Sequence, residues 1–235
     1  MSKVIIAITS YNEVFYDDGA KTGLFVTEAL HPFHVFKKAG YEVEFVSETG
    51  TFGFDTHSLG EMFLQGADKA DVEDENSEFQ KQLKQIKKAS DINASDYVAI
   101  YGSAGHGALY DYPKATDLIK ITEAIYANGG VISAVCHGIV LLGPVKDSKT
   151  NELVLKGKKI TGFTDIGEVQ LGVQEKMDKD NLESIEAMAK RIGATYVAPE
   201  GPWDDLSVVD GRVVTGVNPA SATSAAEKVV AILKQ

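Results

Sequence analysis

Cys136 is the only cysteine in the 235-residue chain, and His137 follows it directly. A thiol beside an imidazole is the minimal pair for nucleophilic attack on a carbonyl carbon, the imidazole taking the proton that sulfur gives up. A lone cysteine is commonly an inert buried thiol. Here it stands between the apolar run 131–135 and Gly138, where a buried strand must turn sharply into a helix. That placement resembles the nucleophile elbow of hydrolases, although the Gly-x-Ser-x-Gly spacing is absent. A thiol at a helix N-terminus is expected to have a lowered pKa, and the amides there can hold an oxyanion.

An imidazole base needs an acid to orient it. Glu168, in the loop after the expected strand 159–163, is one candidate among many acidic residues. Glu28 is another acid of interest. It lies one turn before Pro32, whose missing N–H leaves the Glu28 carbonyl without its usual partner and should kink the helix there. His31 and His34 could share a helix face, but no further ligand completes a metal site, so packing or surface roles suit them better.

The order of the histidines excludes several classes. They stand at 31, 34, 57, 106 and 137, so none lies downstream of His137. Papain-like proteases and class I glutamine amidotransferases both need a distant downstream histidine. Pairing His106 with Cys136 in the caspase manner lacks the Gln-Ala-Cys signature. No Gly-x-Gly-x-x-Gly follows the first strand, which argues against a dinucleotide cofactor.

The elements that must position these residues alternate. Residues 3–9, 41–46, 97–101 and 131–135 read as strands, with a helix over 24–38 ending at Gly40. A helix opens at Pro113 and runs to about residue 127, and another spans 181–191. Residues 207–214 read as a hairpin turning at Asp210-Gly211, and Asn218-Pro219 caps the last helix. Strands alternating with helices imply a mostly parallel sheet covered on both faces, with sites beyond the carboxyl ends of its strands. The loops after Thr9, Tyr101 and Val135 fall at such ends. The chain reads as one domain, 1–235. The polar segment 65–90 is an insertion outside the core, covering the site or standing as a solvated surface helix.

The formal charge of −11 argues against nucleic acid and anionic membranes. The run 4–8 is too short for a signal peptide, and no run approaches the ~20 apolar residues of a membrane span. One cysteine allows no internal disulfide and suits the cytoplasm or nucleus.

Several segments stand together in order: Thr-Ser-Tyr-Asn-Glu (9–13), Asp-Gly-Ala-Lys-Thr-Gly (18–23), Ser-Ala-Gly-His-Gly (103–107), Ala-Val-Cys-His-Gly (134–138), Thr-Gly-Phe-Thr-Asp (161–165), Gly-Pro-Trp-Asp-Asp (201–205) and Val-Thr-Gly-Val-Asn-Pro-Ala-Ser (214–221). Across nearly its whole length the chain resembles the fungal glutathione-independent glyoxalases III, the heat-shock-protein-31-like branch of the ThiJ/PfpI superfamily. The resemblance implies a flavodoxin-like three-layer α/β sandwich with Cys136 as nucleophile, His137 as base and Glu168 as the acid orienting it. Glu28 matches the buried acid that hydrogen-bonds the thiol, and the Gly105 and His137 amides match the oxyanion donors. It further implies a small dicarbonyl substrate such as methylglyoxal or glyoxal, D-lactate as product, no cofactor or metal, and a homodimer. The branch is also associated with holdase chaperone activity, and the same thiol would serve a peptidase or deglycase.

Overall fold

The computed structural model describes residues 2–235. β1 (Lys3–Ala7) is apolar and almost entirely buried, as a central strand covered on both faces must be. A long loop leads to α1 (Thr27–Lys38), which runs through Pro32 and ends where Gly40 takes a left-handed φ of 91°. The helix therefore starts at Thr27 rather than at residue 24. β2 (Glu42–Ser47) follows.

The segment 65–90 supplies α2 (Gly66–Glu73), α3 (Glu78–Leu83) and the edge strand β3 (Lys87–Lys88). Phe79 of α3 packs against Phe33 of α1 and Phe45 of β2, and Asp68 and Asp71 of α2 face His31 and His34. Those two histidines thus pair with aspartates along α1.

β4 (Tyr97–Gly102) leads through α4 (Ala108–Asp111) to α5 (Thr116–Ala127) and β5 (Val131–Val135). Pro113 lies in a short 3-10 turn, Tyr112–Lys114, ahead of α5 rather than opening it. Beyond the cysteine come β6 (Lys159–Ile160), α6 (Asp165–Leu171), α7 (Gln174–Lys179), α8 (Ile185–Ile192) and β7 (Thr195–Tyr196). The expected strand 159–163 shrinks to two residues paired with β7, outside the main sheet. β8 (Ser207–Asp210) and β9 (Val213–Gly216) form the expected hairpin, with Gly211 left-handed at its turn. Asn218 caps a 3-10 turn, Pro219–Ser221, that leads into α9 (Ala222–Leu233).

The main sheet has the order β3-β2-β1-β4-β5-β9-β8, parallel except for the β8–β9 pair. α1 and α9 pack together on one face, and α5 covers β4 and β5. This is the flavodoxin-like α/β sandwich. Parallel pairing brings the carboxyl ends of β1, β4 and β5 to one edge, and the candidate residues gather there.

Candidate active site

Cys136 itself makes the elbow. After the extended Val135 its φ is 57°, in the left-handed region, where a side-chain-bearing residue costs about 1–3 kcal/mol. Close backbone packing holds it there. A Cβ on Gly138 would lie 2.4 Å from the Gly102 carbonyl oxygen, so this glycine serves a close approach between β4 and the elbow rather than the turn. On the other side, Phe163 N–H donates to the Cys136 carbonyl at 3.4 Å.

Cys136 Sγ lies 3.3 Å from His137 Nδ1, and His137 Nε2 lies 2.7 Å from Glu168 Oε1. All three residues are buried. Glu168 sits on α6, not in a loop. Thr164 caps that helix by accepting from Gly167 N–H at 2.9 Å, and turns Glu168 inward. Burial would raise the Glu168 pKa, but His137 and His106 beside it hold the carboxyl well below its ordinary range. An ionised Glu168 can only accept, so His137 carries its proton on Nε2 and offers a lone pair at Nδ1 to the thiol. Burial and the neighbouring His106 push the His137 pKa down, keeping the ring neutral.

The thiol departs from expectation. Burial, with Glu28 alongside, pushes its pKa well above the ordinary value, against the opposing effect of the His137 amide. The stretch after the cysteine is a six-residue 3-10 helix, Cys136–Leu141, whose dipole is too short to win. The resting sulfur is therefore a thiol that needs its imidazole base, rather than a preformed thiolate.

Glu28, in the first turn of α1, accepts from Ala104 N–H at 3.1 Å through Oε2. Its Oε1 is buried with no hydrogen-bond partner. Burial pushes this carboxyl up to about 8, moderated by the nearby Cys136 thiol and the Ala104 amide. The loop carrying Ala104 and Gly105 lies against the α1 approach, with Phe25 N–H donating to the Ala104 carbonyl at 2.6 Å. Gly105 has φ 133°, and a Cβ there would sit 2.2 Å from the Gly23 carbonyl oxygen, so only glycine fits.

The cavity over Cys136 has a volume of about 60 Å³. That is room for a small molecule rather than for a peptide or a dinucleotide. Phe25, Phe63, Phe163, Leu171, Trp203 and Pro219 supply its apolar wall; Gly105, Tyr16, His57 and His106 complete the lining beside Cys136 and His137. None of the residues 65–90 lines it.

Cys136, His137, Glu168, Glu28 and Gly105 thus converge. His106 and Tyr16 were not among the site residues read from the sequence. His106 Nε2 bonds the second oxygen of Glu168 at 2.9 Å, and its ring stacks on Phe15. Its position in the Gly-His-Gly loop at a strand end was the available signal; Tyr16, in an irregular loop, offered none. His106, His137 and Glu168 are the compact metal-capable group among the described residues. Their facing atoms are already hydrogen-bonded to one another, so the cluster is satisfied as a proton-holding network.

Fold and site together define an α/β protein with a cysteine elbow backed by an imidazole and a carboxylate. The chain belongs to the DJ-1/PfpI family, whose model matches residues 21–232. It is 58% identical to "Glyoxalase 3" of Candida albicans over 231 residues, covering 98% of each chain. It is 56% identical to "Glutathione-independent glyoxalase HSP31" of Saccharomyces cerevisiae, covering 99% of this chain and 98% of that one. The crystal structure of glyoxalase III from Candida albicans superposes with a TM-score of 0.97, covering 98% of this chain and 97% of that one.

Proposed function

We propose that this protein is a glutathione-independent glyoxalase that converts methylglyoxal to D-lactate through a hemithioacetal on Cys136. The observation that carries the reading is a convergence. A thiol and a neutral imidazole open onto a cavity of about 60 Å³, and the buried Glu28 carboxyl lies behind the thiol. The glyoxalase names of relatives sharing more than half their residues support the same chemistry.

Sγ attacks the aldehyde carbon while His137 Nδ1 takes the thiol proton. The carbonyl oxygen becomes an oxyanion within reach of the Gly105 and His137 amides. A base removes the hydrogen from the former aldehyde carbon, giving an enediolate, and a proton is delivered to the neighbouring carbon. Glu28 suits this exchange, because a carboxyl pushed up to about 8 both gives and takes protons near neutral pH. The resulting lactoyl thioester is cleaved by water, which releases D-lactate and restores the thiol. Methylglyoxal and water are the only inputs; the covalent cysteine takes the place of glutathione.

No helix among the described residues is long and apolar enough to cross a membrane. A cytoplasmic or nuclear location and a homodimer complete the reading, the latter checked by sedimentation. The functional test is D-lactate formation from methylglyoxal after exhaustive chelation and without glutathione. Full activity is expected. Activity that vanishes on chelation and returns with zinc would overturn the thiol-only mechanism.

A further inference from the structure

Glu168 serves two imidazoles, and the reaction above uses one of them. His106 Nε2 lies 2.9 Å from Glu168 Oε2, while His137 Nε2 holds Oε1, and the two rings are 4.2 Å apart. On its far side His106 Nδ1 is 3.3 Å from the Tyr16 hydroxyl, which lies 2.8 Å from Asp55 Oδ2. Asp55 is wholly buried and also accepts from Thr22 Oγ1 at 2.9 Å and from the His57 and Ser58 amides at 3.0 and 3.2 Å. Four donors on one carboxyl fit the ionised form, which has no proton to give.

Tyr16 has a single hydroxyl hydrogen, and it goes to Asp55. The phenol oxygen faces His106 with lone pairs only, so that contact is a hydrogen bond only if Nδ1 carries a proton. Nε2 must carry one as well, since it faces ionised Glu168. We propose that His106 is held as an imidazolium between Glu168 and the Tyr16–Asp55 pair, and that this fixed cation keeps His137 neutral, with Nδ1 free for the thiol. His106 is a positioning residue, acting through Glu168 and through its charge. The inference rests on His137 being the base of the proposed reaction.

The signs agree. A cation beside His137 opposes its protonation, and a second donor on Glu168 dilutes that carboxylate's pull on His137. For His137, burial and His106 together outweigh the attraction of Glu168 and Asp55. The other ionisable groups facing the cluster are Cys136, Glu28 from α1, and His57, whose ring lies tilted against Tyr16 and which bonds Asp18.

The test uses the intact protein with His106→Gln and Tyr16→Phe. Glutamine retains a donor toward Glu168 but no charge. The readout is the pH dependence of iodoacetamide alkylation at the sole cysteine, followed by mass spectrometry, which requires no turnover. His106→Gln should move the acid limb upward by about one pH unit or more, because His137 then binds a proton more readily. Tyr16→Phe should move it in the same direction. Nitrogen-15 spectra of the wild-type imidazoles should show one ring protonated at both nitrogens, a pattern absent in His106→Gln. An unshifted profile in folded His106→Gln, or a neutral His106 ring in the wild type, overturns the proposal. A shifted profile in His106→Gln, found beside a wild-type protein that makes no D-lactate, upholds it and sinks the glyoxalase reading instead.

Discussion

Glu28 is held at the site with one oxygen unpartnered in a dry environment, a feature that packing alone would select against. Its folded pKa of about 8 lies above the ordinary 4.5, so between those values the folded state binds more protons than the unfolded state. Stability must therefore fall as pH rises through that window. Glu28→Gln removes the penalty. Its melting temperature should match the wild type near pH 4.5 and exceed it by a few degrees at pH 8.5, while D-lactate turnover drops about 10²–10⁴-fold. Melting curves that stay parallel across that range would show that the carboxyl is not buried as described. From sequence, Glu28 drew notice through Pro32 and through the family resemblance. Its burial was not legible, because the groups enclosing it come from a loop some 75 residues away. The raised pKa of the thiol is illegible for the same kind of reason: a helix N-terminus is visible in sequence, but the desolvation that outweighs it is not.

At the level of elements, the elbow depends on β4 and the start of the 3-10 stretch touching backbone to backbone. Gly138→Ala places a Cβ against the Gly102 carbonyl, which cannot yield without moving β4. Such overpacking costs about 1–3 kcal/mol, and here the displacement falls on Cys136. Chemical denaturation should register that loss, with a fall in kcat larger than any rise in KM; wild-type stability and rate would contradict the packing argument. The buried strands and the 207–214 hairpin were legible because apolar runs and an Asp-Gly turn carry strong local signals. α6 was not. It is seven residues long, and its Ile166, Val169 and Leu171 face solvent, so the apolar periodicity that marks a core helix is inverted. The cap at Thr164 was the one usable clue. The strand ends at Ile160 rather than 163 because Phe163 turns to the elbow, its N–H on the Cys136 carbonyl, instead of continuing the ladder.

For the whole molecule, alternation of strands and helices implied the layered architecture, but not the strand order that brings the ends of β1, β4 and β5 together. Nor did composition reveal the apolar rim. Met62, Leu171 and Trp203, exposed by 82%, 42% and 43%, border the mouth of the site. Such a rim can hold an unfolded client as well as admit a small aldehyde. The proposed chemistry needs the sulfur of Cys136; binding of a client to that rim would not.

The most direct measurement is D-lactate formation by Cys136→Ala, made beside a light-scattering assay of client aggregation on the same preparation, with circular dichroism to verify the fold. The substitution removes little volume, and no second cysteine exists to take over the attack. D-lactate should fall to background, while any suppression of aggregation that uses the apolar rim should persist. Substantial D-lactate from the folded variant would contradict a covalent role for Cys136, and with it the central claim.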